Sequence, residues 1–365
     1  MSKLNLVLLF GGRSSEHSIS CATAAGVLGA IDRDRYNVIA VGITQTGVFV
    51  PAVDDPNRWA LTSGPLPVVE FEGKTVIWPF DGGRELMVQD ELGNRESLGS
   101  MDVVFPVLHG PYGEDGTMQG FLELVGVPYV GNGVFASAAG MDKEFTKALM
   151  LQAGVPATPH VVITSAKWLN DPEIAMAQSR QLGGLPLFVK PARAGSSVGV
   201  SKVKDWADFP QAVATALEHD SKVVVEHGLV GRELECAVLS GANDSPTRVS
   251  VAGEIIMRGR EFYDFEAKYR DDSAELVIPA KLSPDLLAQM QHLAARAFAS
   301  IGGRGLARVD FFLTADGFFV NEINTMPGFT PVSMYPKLWQ ASGLGYADLI
   351  DELIGLALEA PAGLS

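Results

Sequence analysis

Two apolar segments joined by a tight turn constrain the fold of this chain more than any other feature. Residues 308–313 read Arg-Val-Asp-Phe-Phe-Leu, residues 318–324 read Phe-Phe-Val-Asn-Glu-Ile-Asn, and Thr-Ala-Asp-Gly lies between them. Apolar runs that flank an Asp-Gly turn predict a β-hairpin. Such a hairpin places Asp310 close to opposite Glu322, and Asn324 shares a face with Glu322 because side chains alternate along a strand.

The side chains that converge on this hairpin predict a metal site. Two nearby carboxylates repel each other unless a cation lies between them. The oxygen donors of Asp310, Glu322 and Asn324 suit Mg²⁺ or Mn²⁺ bound together with nucleotide phosphates. The alternative is a solvated hairpin face with unrelated charges. Polar groups among apolar strand residues are costly without partners, so the sequence favours the metal site.

The rest of the chain predicts an α/β fold with more than one core, since 365 residues exceed what a single core usually spans. Residues 4–43 read as strand, glycine turn, helix and strand, which opens a βαβ unit and a Rossmann-like parallel sheet. We expect an N-terminal domain over 1–131 that carries an insertion at about 47–100. A central α+β domain over 132–225 and a C-terminal domain over 226–365 complete the predicted division.

Composition and charge exclude several classes of partner. The net charge of −15 opposes nucleic-acid binding, and no apolar run approaches the length that crosses a membrane. The chain begins with a strand-like segment in place of an export signal, so we expect a cytoplasmic protein. Cys21 and Cys236 lie far apart without metal-ligand spacing, so we expect two buried thiols without a disulfide or zinc site.

Two lysines are candidate phosphate ligands. Lys190 ends a strand-like run and precedes the glycine- and serine-rich residues 195–199, whose backbone N–H groups suit phosphate oxygens. No Walker A sequence is present, and in isolation this segment is better explained as an ordinary surface turn. Lys143 begins a helical segment and supplies a second candidate cation, with a solvated surface lysine as the alternative.

Four further segments are candidate parts of a ligand site. Residues 223–229 resemble a strand leading into a hinge, with Glu233 beyond it for ribose, although an ordinary strand end has the same pattern. Glu16 is expected in the first turn of a helix, where simple capping is the alternative. Residues 109–116 suit a ligand-lining loop or a structural turn. Residues 262–269 join aromatic side chains to one lysine, which is typical of a lid that excludes water.

Taken together, these segments resemble the D-alanine–D-alanine ligase family, in the family's order and over nearly the whole chain except about 47–100. One departure occurs at 227–228, where this chain has His-Gly and some members have Lys-Trp. The matching segments are Gly11-Gly12 with Ser15-Glu16, His109-Gly110 with Gly113-Glu114-Asp115-Gly116 and Gln119-Gly120, Met141-Asp142-Lys143, Val189-Lys190-Pro191 with Gly195-Ser196-Ser197-Val198-Gly199, Tyr263 with Lys268-Tyr269, Arg308-Val309-Asp310, and Asn321-Glu322-Ile323-Asn324-Thr325 with Pro327-Gly328.

The resemblance implies a three-domain ATP-grasp fold that holds ATP between the central and C-terminal domains. It assigns two Mg²⁺ or Mn²⁺ ions to Asp310, Glu322 and Asn324. Two other groups of residues follow from the same resemblance. The phosphates are assigned to Lys143, Lys190 and Lys268, and the adenosine to Glu226, His227, Leu229, Glu233 and Phe312.

The family joins two D-alanines through a D-alanyl phosphate, with release of ADP and phosphate, for peptidoglycan precursor synthesis. By resemblance, Glu16 orients the ammonium of the first D-alanine, and its partners Ser196 and Tyr269 fasten the lid. The remaining substrate contacts implied by the resemblance involve both D-alanines and the reaction centre. They are His109 and Tyr263 beside the substrate, Arg308 and the N–H of Gly328 at the oxyanion, and Ser333 with the Met334 backbone at the second carboxylate. A homodimer is expected, as is common in the family.

Two alternatives stay open at this point. D-alanine–D-lactate ligases resemble this chain but carry histidine at the lid position that is Tyr269 here, and this difference favours dipeptide formation. The second alternative is a nucleotide-binding sensor without catalysis. The joint presence of Lys190, Arg308, Asp310, Glu322 and Asn324 argues against that alternative.

Overall fold

Four β-sheets organise the described residues, 3–243, 245–257 and 274–359, of this computed structural model. The strands are β1 Leu4–Gly11, β2 Tyr36–Ile43, β3 Phe49–Pro51, β4 Lys74–Ile77, β5 Glu85–Asp90, β6 Arg95–Ser100, β7 Val103–Pro106, β8 His160–Thr164, β9 Leu187–Pro191, β10 Ser201–Val203, β11 Lys222–His227, β12 Arg232–Leu239, β13 Arg248–Met257, β14 Ala274–Val277, β15 Leu306–Thr314 and β16 Gly317–Asn324. The helices are α1 His17–Ala30, α2 Pro56–Trp59, α3 Thr117–Val125, α4 Val134–Met141, α5 Lys143–Gln152, α6 Ser165–Asn170, α7 Pro172–Arg180, α8 Phe209–Leu217, α9 Pro284–Ser300, α10 Met334–Ala341 and α11 Tyr346–Glu359.

The N-terminal sheet has the order β3-β2-β1-β7, with β1 parallel to both β2 and β7. This arrangement confirms the predicted βαβ unit. Strand β1 is a continuous apolar run because both of its faces are covered. Leu6 and Leu8 pack with α1 and α11, whereas Val7 and Leu9 pack with Trp78 and other residues of the second face.

The predicted insertion forms its own antiparallel sheet, β4-β5-β6. Trp78, Leu86 and Val76 contribute to the core that covers the second face of the N-terminal sheet. The insertion therefore completes the first core.

Two antiparallel sheets follow, with orders β10-β9-β11-β8 and β14-β13-β12-β15-β16. The β15–β16 hairpin has the predicted register, since Asp310 pairs with Glu322 and Arg308 pairs with Asn324. The register then shifts, so that Phe311 pairs with Val320 and Asn321 is an extra residue, a β-bulge. The opposed carboxylates expected from the sequence are confirmed, whereas the bulge was not predicted.

The helical segment expected from Lys143 is α5, and Asp142 separates it from α4. The Asp142 side chain accepts hydrogen bonds from the N–H groups of Glu144 and Phe145, so it caps a new helix. Helices α2, α4, α6, α7 and α10 and strands β3, β10 and β14 were not predicted. The expected lid at 262–269 lies outside the described residues.

Two smaller expectations concern cysteines and membranes. Cys21 and Cys236 are both buried thiols, as predicted, and burial raises the pKa of Cys21 to about 12. Within the described ranges, no helix combines the length and the apolarity needed to cross a bilayer.

Asn132 ties the segment between β7 and α4 to the C-terminal sheet. Its Nδ2 donates to the carbonyls of Leu306 and Thr325 at 2.6 and 2.9 Å, and its Oδ1 accepts from the N–H of Arg304 at 2.9 Å. We expect Asn132→Ala to lower the free energy of unfolding by about 2 kcal/mol or more, because three buried backbone groups lose their partner. Chemical denaturation measures this loss. Asn170→Ala at an exposed helix end is the control, and an equal, small effect in both variants would contradict the prediction.

Candidate active site

A cavity of about 430 Å³ is lined by residues of the central sheet, the C-terminal sheet and the N-terminal loops. Every candidate residue that falls within the described part of the chain lines this cavity. They are Glu16, His109, Lys143, Lys190, Ser196, Glu226, His227, Leu229, Glu233, Arg308, Asp310, Phe312, Glu322, Asn324, Gly328, Ser333 and Met334. The lid candidates Tyr263, Lys268 and Tyr269 lie outside the described residues.

The hairpin carboxylates form a row across three strands. Asp310 on β15 pairs with Glu322 on β16 and with Glu235 on β12. The Asn324 Nδ2 donates to Asp310 Oδ2 at 3.0 Å. Asp310 is only 8% exposed, so its charge is directed into the cavity and toward protein cations.

The oxygen donors of the hairpin fit a divalent cation that is shared with a nucleotide. No group of three His, Cys, Asp or Glu side chains suited to a metal occurs among the described residues. Two carboxylates and one amide, Asp310, Glu322 and Asn324, are a sufficient protein contribution where phosphate oxygens and water complete the coordination of Mg²⁺.

Arg308 lies between two of these carboxylates. Its Nε and Nη2 each donate to one Asp310 oxygen at 2.7 Å, and its Nε also lies 3.0 Å from Glu235 Oε2. Burial acts to lower the pKa of Arg308, but Asp310 and Glu235 outweigh it and raise that pKa well above its ordinary value. Arg308 is therefore a fully charged donor beside the metal candidates. Glu235 was missed because its alternating strand pattern gives no sign of its neighbour across the sheet.

A second charged cluster joins the central sheet, β10-β9-β11-β8, to the C-terminal sheet, β14-β13-β12-β15-β16. Glu226 Oε2 accepts from Lys190 Nζ at 2.7 Å, and Glu226 Oε1 lies 3.0 Å from Lys147 Nζ. Burial acts to raise the pKa of Glu226, but the two ammonium groups outweigh it and lower that pKa to about 2. Burial likewise opposes the charge of Lys190, but Glu226 holds its pKa above the ordinary lysine value. Lys147 was not predicted, because the sequence offers no sign that this helical lysine faces inward.

The glycine- and serine-rich loop after β9 closes over Lys143. Lys143 Nζ donates to the carbonyl of Ala194 at 2.8 Å, and burial lowers the pKa of Lys143. Ser196 and Ser197 adopt left-handed φ values of 48° and 59°, which non-glycine residues rarely do. Ser196 Oγ then donates to Glu16 Oε1 at 2.5 Å.

Glu16 occupies the N-cap of α1, so the expectation that it lies in the first helical turn was wrong by one residue. Its carboxylate makes no capping bond to α1 and points to Ser196 instead. The local reason is Ser14, whose Oγ accepts the N–H of Glu16 and donates to the carbonyl of His109. The Glu16 side chain is therefore available to a ligand ammonium.

His109 and Glu114 lie on the other side of Glu16. His109 Nδ1 lies 3.3 Å from the carbonyl of Met326, and its Nε2 lies 3.0 Å from the Thr23 hydroxyl. The Met326 carbonyl accepts a hydrogen bond from Nδ1, and burial, which lowers the pKa of His109, favours the neutral ring with its proton on Nδ1. Glu114 was not predicted as a site residue. Its enclosure by protein raises its pKa to about 8, and the charge of Glu16 adds to this effect.

The far end of the cavity begins where β11 ends. The N–H groups of His227 and Gly228 bond to the carbonyls of Pro159 and Pro186, so they are engaged within the protein. A Cβ at Gly228 would lie 2.7 Å from the Pro186 carbonyl oxygen, which accounts for glycine at this position. Glu233 and Phe312 are cross-strand neighbours at the same end.

The segment after β16 leads to a helix N-terminus. Ser333 is the N-cap of α10, and its Oγ accepts the N–H of Thr330 at 3.2 Å and lies 2.7 Å from the Thr330 hydroxyl. The first backbone N–H groups of a helix favour a bound anion. Gly328 also lines the cavity and precedes this helix.

Comparison with known proteins identifies the family. Residues 5–132 match the family described as "D-ala D-ala ligase N-terminus", and residues 149–355 match "D-ala D-ala ligase C-terminus". The chain belongs to the D-alanine–D-alanine ligase family. It is 53% identical to the D-alanine–D-alanine ligase of Arthrobacter sp. (strain FB24), over 100% of this chain and 96% of that protein. It is 51% identical to the D-alanine–D-alanine ligase of Mycobacterium sp. (strain KMS), over 99% and 98% of the two chains.

Solved structures of this family share the fold. The VanG D-Ala:D-Ser ligase from Enterococcus faecalis has a TM-score of 0.82 and 32% identity, covering 98% of this chain and 100% of its own. The D-alanine–D-alanine ligase from Coxiella burnetii has a TM-score of 0.80 and 33% identity, covering 98% and 94%. The predicted α/β fold of the ATP-grasp type, with parallel strands in its N-terminal domain, is confirmed.

The raised pKa of Glu114 predicts a pH dependence of stability. Because the folded-state pKa of about 8 exceeds the ordinary 4.5, the contribution of this group is complete below pH 4.5 and is lost as the pH rises through 8. We expect Glu114→Gln to become progressively more stable relative to the unmodified protein between pH 5 and 9, measured by chemical denaturation at several pH values. Glu91→Gln at an exposed turn is the control. A stability difference for Glu114→Gln that is independent of pH would contradict the assignment.

Proposed function

We propose that this chain joins two D-alanines to D-alanyl-D-alanine, with hydrolysis of ATP to ADP and phosphate, for peptidoglycan precursor synthesis. The observation that carries the proposal is the single cavity that brings together the carboxylates of β15 and β16, the buried lysines and Glu16. Such a cavity combines the groups that phosphoryl transfer and ammonium recognition require. The high identity to D-alanine–D-alanine ligases over full length supports the same function.

The proposed nucleotide lies between the central domain, 132–225, and the C-terminal domain, 226–365, with 1–131 contributing Glu16 and His109. Lys143 and Lys190 bind phosphate oxygens, and Lys268 is assigned to the same role from the sequence. Adenosine occupies the end where β11 finishes. Since the N–H groups of His227 and Gly228 are engaged, backbone recognition of adenine falls to Leu229 and the neighbouring carbonyls. The remaining proposed adenosine contacts are Glu226, His227, Glu233 and Phe312.

The first step makes a carboxylate reactive. A carboxylate is a poor electrophile, so the first D-alanine attacks the γ-phosphate and becomes an acyl phosphate, while ADP leaves. Two Mg²⁺ or Mn²⁺ ions, held by Asp310, Glu322 and Asn324, would neutralise charge on the phosphates. The Glu16 carboxylate accepts hydrogen bonds from the substrate ammonium, and the hydrogen bond from Ser196 orients that carboxylate. His109 lines the cavity together with Glu16. A closed lid with Tyr263 and Tyr269 would exclude the water that hydrolyses acyl phosphates.

The second step transfers the acyl group. The amine of the second D-alanine attacks the acyl phosphate, and negative charge develops on the carbonyl oxygen. Arg308 and the N–H of Gly328 are the proposed donors to that oxygen. Ser333 and the backbone of Met334 at the N-terminus of α10 receive the second carboxylate. Phosphate then leaves as the peptide bond forms.

Cellular context follows from this reaction. The reaction consumes ATP and small amino acids, so we propose a cytoplasmic enzyme, and a homodimer as in other family members. The net charge of −15 disfavours a nucleic-acid partner.

Substrate dependence tests the proposed reaction directly. We expect ADP release by the purified protein with D-alanine, little with L-alanine, and D-alanyl-D-alanine as the main product when D-alanine and D-lactate are offered together. A coupled ADP assay with product analysis at neutral pH measures both quantities. A mainly depsipeptide product would favour the D-lactate alternative. Absence of D-alanine-dependent ADP release would favour a sensor that lacks catalysis.

Conservative substitutions test the metal assignment. Asp310→Asn and Glu322→Gln should each abolish measurable turnover and weaken Mn²⁺ binding in the presence of ADP, because an amide is a poor ligand for a hard cation. Paramagnetic resonance of Mn²⁺ provides a readout that is independent of turnover. Asp316→Asn in the turn of the same hairpin is the matched control. Normal Mn²⁺ binding by both site variants would remove the assignment.

A further inference from the structure

We propose that Lys147 is a positioning residue that sets the charge available to the nucleotide phosphates, an inference that rests on the proposed binding of ATP in this cavity. Lys147 balances the buried Glu226 carboxylate, and Lys190 therefore keeps a net positive charge toward the phosphate chain.

The geometry places Lys147 out of reach of bulk solvent. Its side chain is 1% exposed and that of Glu226 is 2% exposed, whereas Lys190 is 13% exposed at the cavity wall. Lys147 Nζ donates to the carbonyl of Asn321 at 2.9 Å and lies 3.0 Å from Glu226 Oε1. An ammonium group engaged in this way acts on a ligand through its neighbours.

The charges of the cluster explain why a second lysine is needed. A pair of Glu226 and Lys190 alone is neutral, so the carboxylate would compensate the positive charge that Lys190 offers to phosphate. Two ammonium groups and one carboxylate leave a net charge of +1. In a region of low dielectric, one unit of charge a few ångströms away changes anion affinity strongly.

The β-bulge links the same cluster to the metal hairpin. Lys190 Nζ lies 3.4 Å from Asn321 Oδ1, while Lys147 binds the Asn321 carbonyl. Asn321 is the extra residue that directly precedes Glu322. Lys147 therefore holds α5, β11 and β16 together at the point where phosphates and metal ions are proposed to meet.

A purely structural ion pair is the competing explanation, and charge balance separates the two. Lys147→Met lowers the charge of the cluster to 0, Glu226→Gln raises it to +2, and the double variant restores +1. If Lys147 acts through charge, the double variant recovers what the single lysine variant loses. If Lys147 is only structural, breaking the pair from either side leaves one buried charge without its partner, so Lys147→Met and Glu226→Gln change the phosphate affinity in the same direction.

The experiment compares ADP and adenosine binding by isothermal titration calorimetry at pH 7. The ratio of the two affinities isolates the phosphate chain, because any loss of adenine contact affects both ligands. We expect Lys147→Met to reduce the ADP-to-adenosine ratio by about tenfold or more, Glu226→Gln to keep or raise it, and the double variant to return it close to the original value. Lys167→Met on α6, which does not line the cavity, is the matched control and should leave the ratio unchanged.

Three outcomes would overturn the inference. In the first, Lys147→Met leaves the ADP-to-adenosine affinity ratio unchanged. In the second, the double variant has a lower ratio than Lys147→Met, and in the third, Glu226→Gln reduces the ratio. If Lys147→Met fails to fold, as judged by circular dichroism, Glu226→Gln and the double variant still decide the question. If the unmodified protein does not bind ADP, the proposed function fails first, and this result is distinct from the three outcomes above.

Discussion

The structure depends on a constraint at the centre of the last sheet, where carboxylates on neighbouring strands must be balanced by cations. Asp310 pairs with Glu235 and Glu322 across the sheet, and the bidentate contact with Arg308 compensates part of this charge. Buried like charges are tolerated only with such partners. The same requirement makes the site receptive to divalent cations.

A second balance of opposite charges lies where the central sheet, β10-β9-β11-β8, meets the C-terminal sheet, β14-β13-β12-β15-β16. Glu226 is enclosed and ionised because Lys147 and Lys190 flank it, and the bulge at Asn321 offers acceptors to both lysines. The two clusters share β16, so the candidate metal ligands and phosphate ligands are held by one strand. This common support keeps the groups in fixed relative positions, which is what catalysis by positioning requires.

Much of the fold could be predicted from residues that are close in sequence, whereas most of the cavity residues were assigned through the resemblance to the D-alanine–D-alanine ligase family. The βαβ unit followed from an apolar run and a glycine turn, and the opposed Asp310 and Glu322 followed from a hairpin with an Asp-Gly turn. Errors arose where one side chain changed the local outcome. Ser14 helped place Glu16 at the N-cap, with its carboxylate turned toward Ser196, where a position in the first helical turn was predicted.

Sequence alone determined the types of chemistry that this chain carries, because strand alternation and turn composition are local properties. Lys147 and Glu235 became part of the cavity only in the tertiary structure. Each lies on an element whose own pattern does not distinguish an inward-facing charge from an exposed one. Which charges meet, and how far burial shifts their pKa values, depends on neighbours distant in sequence, since desolvation and Coulomb interactions act through space.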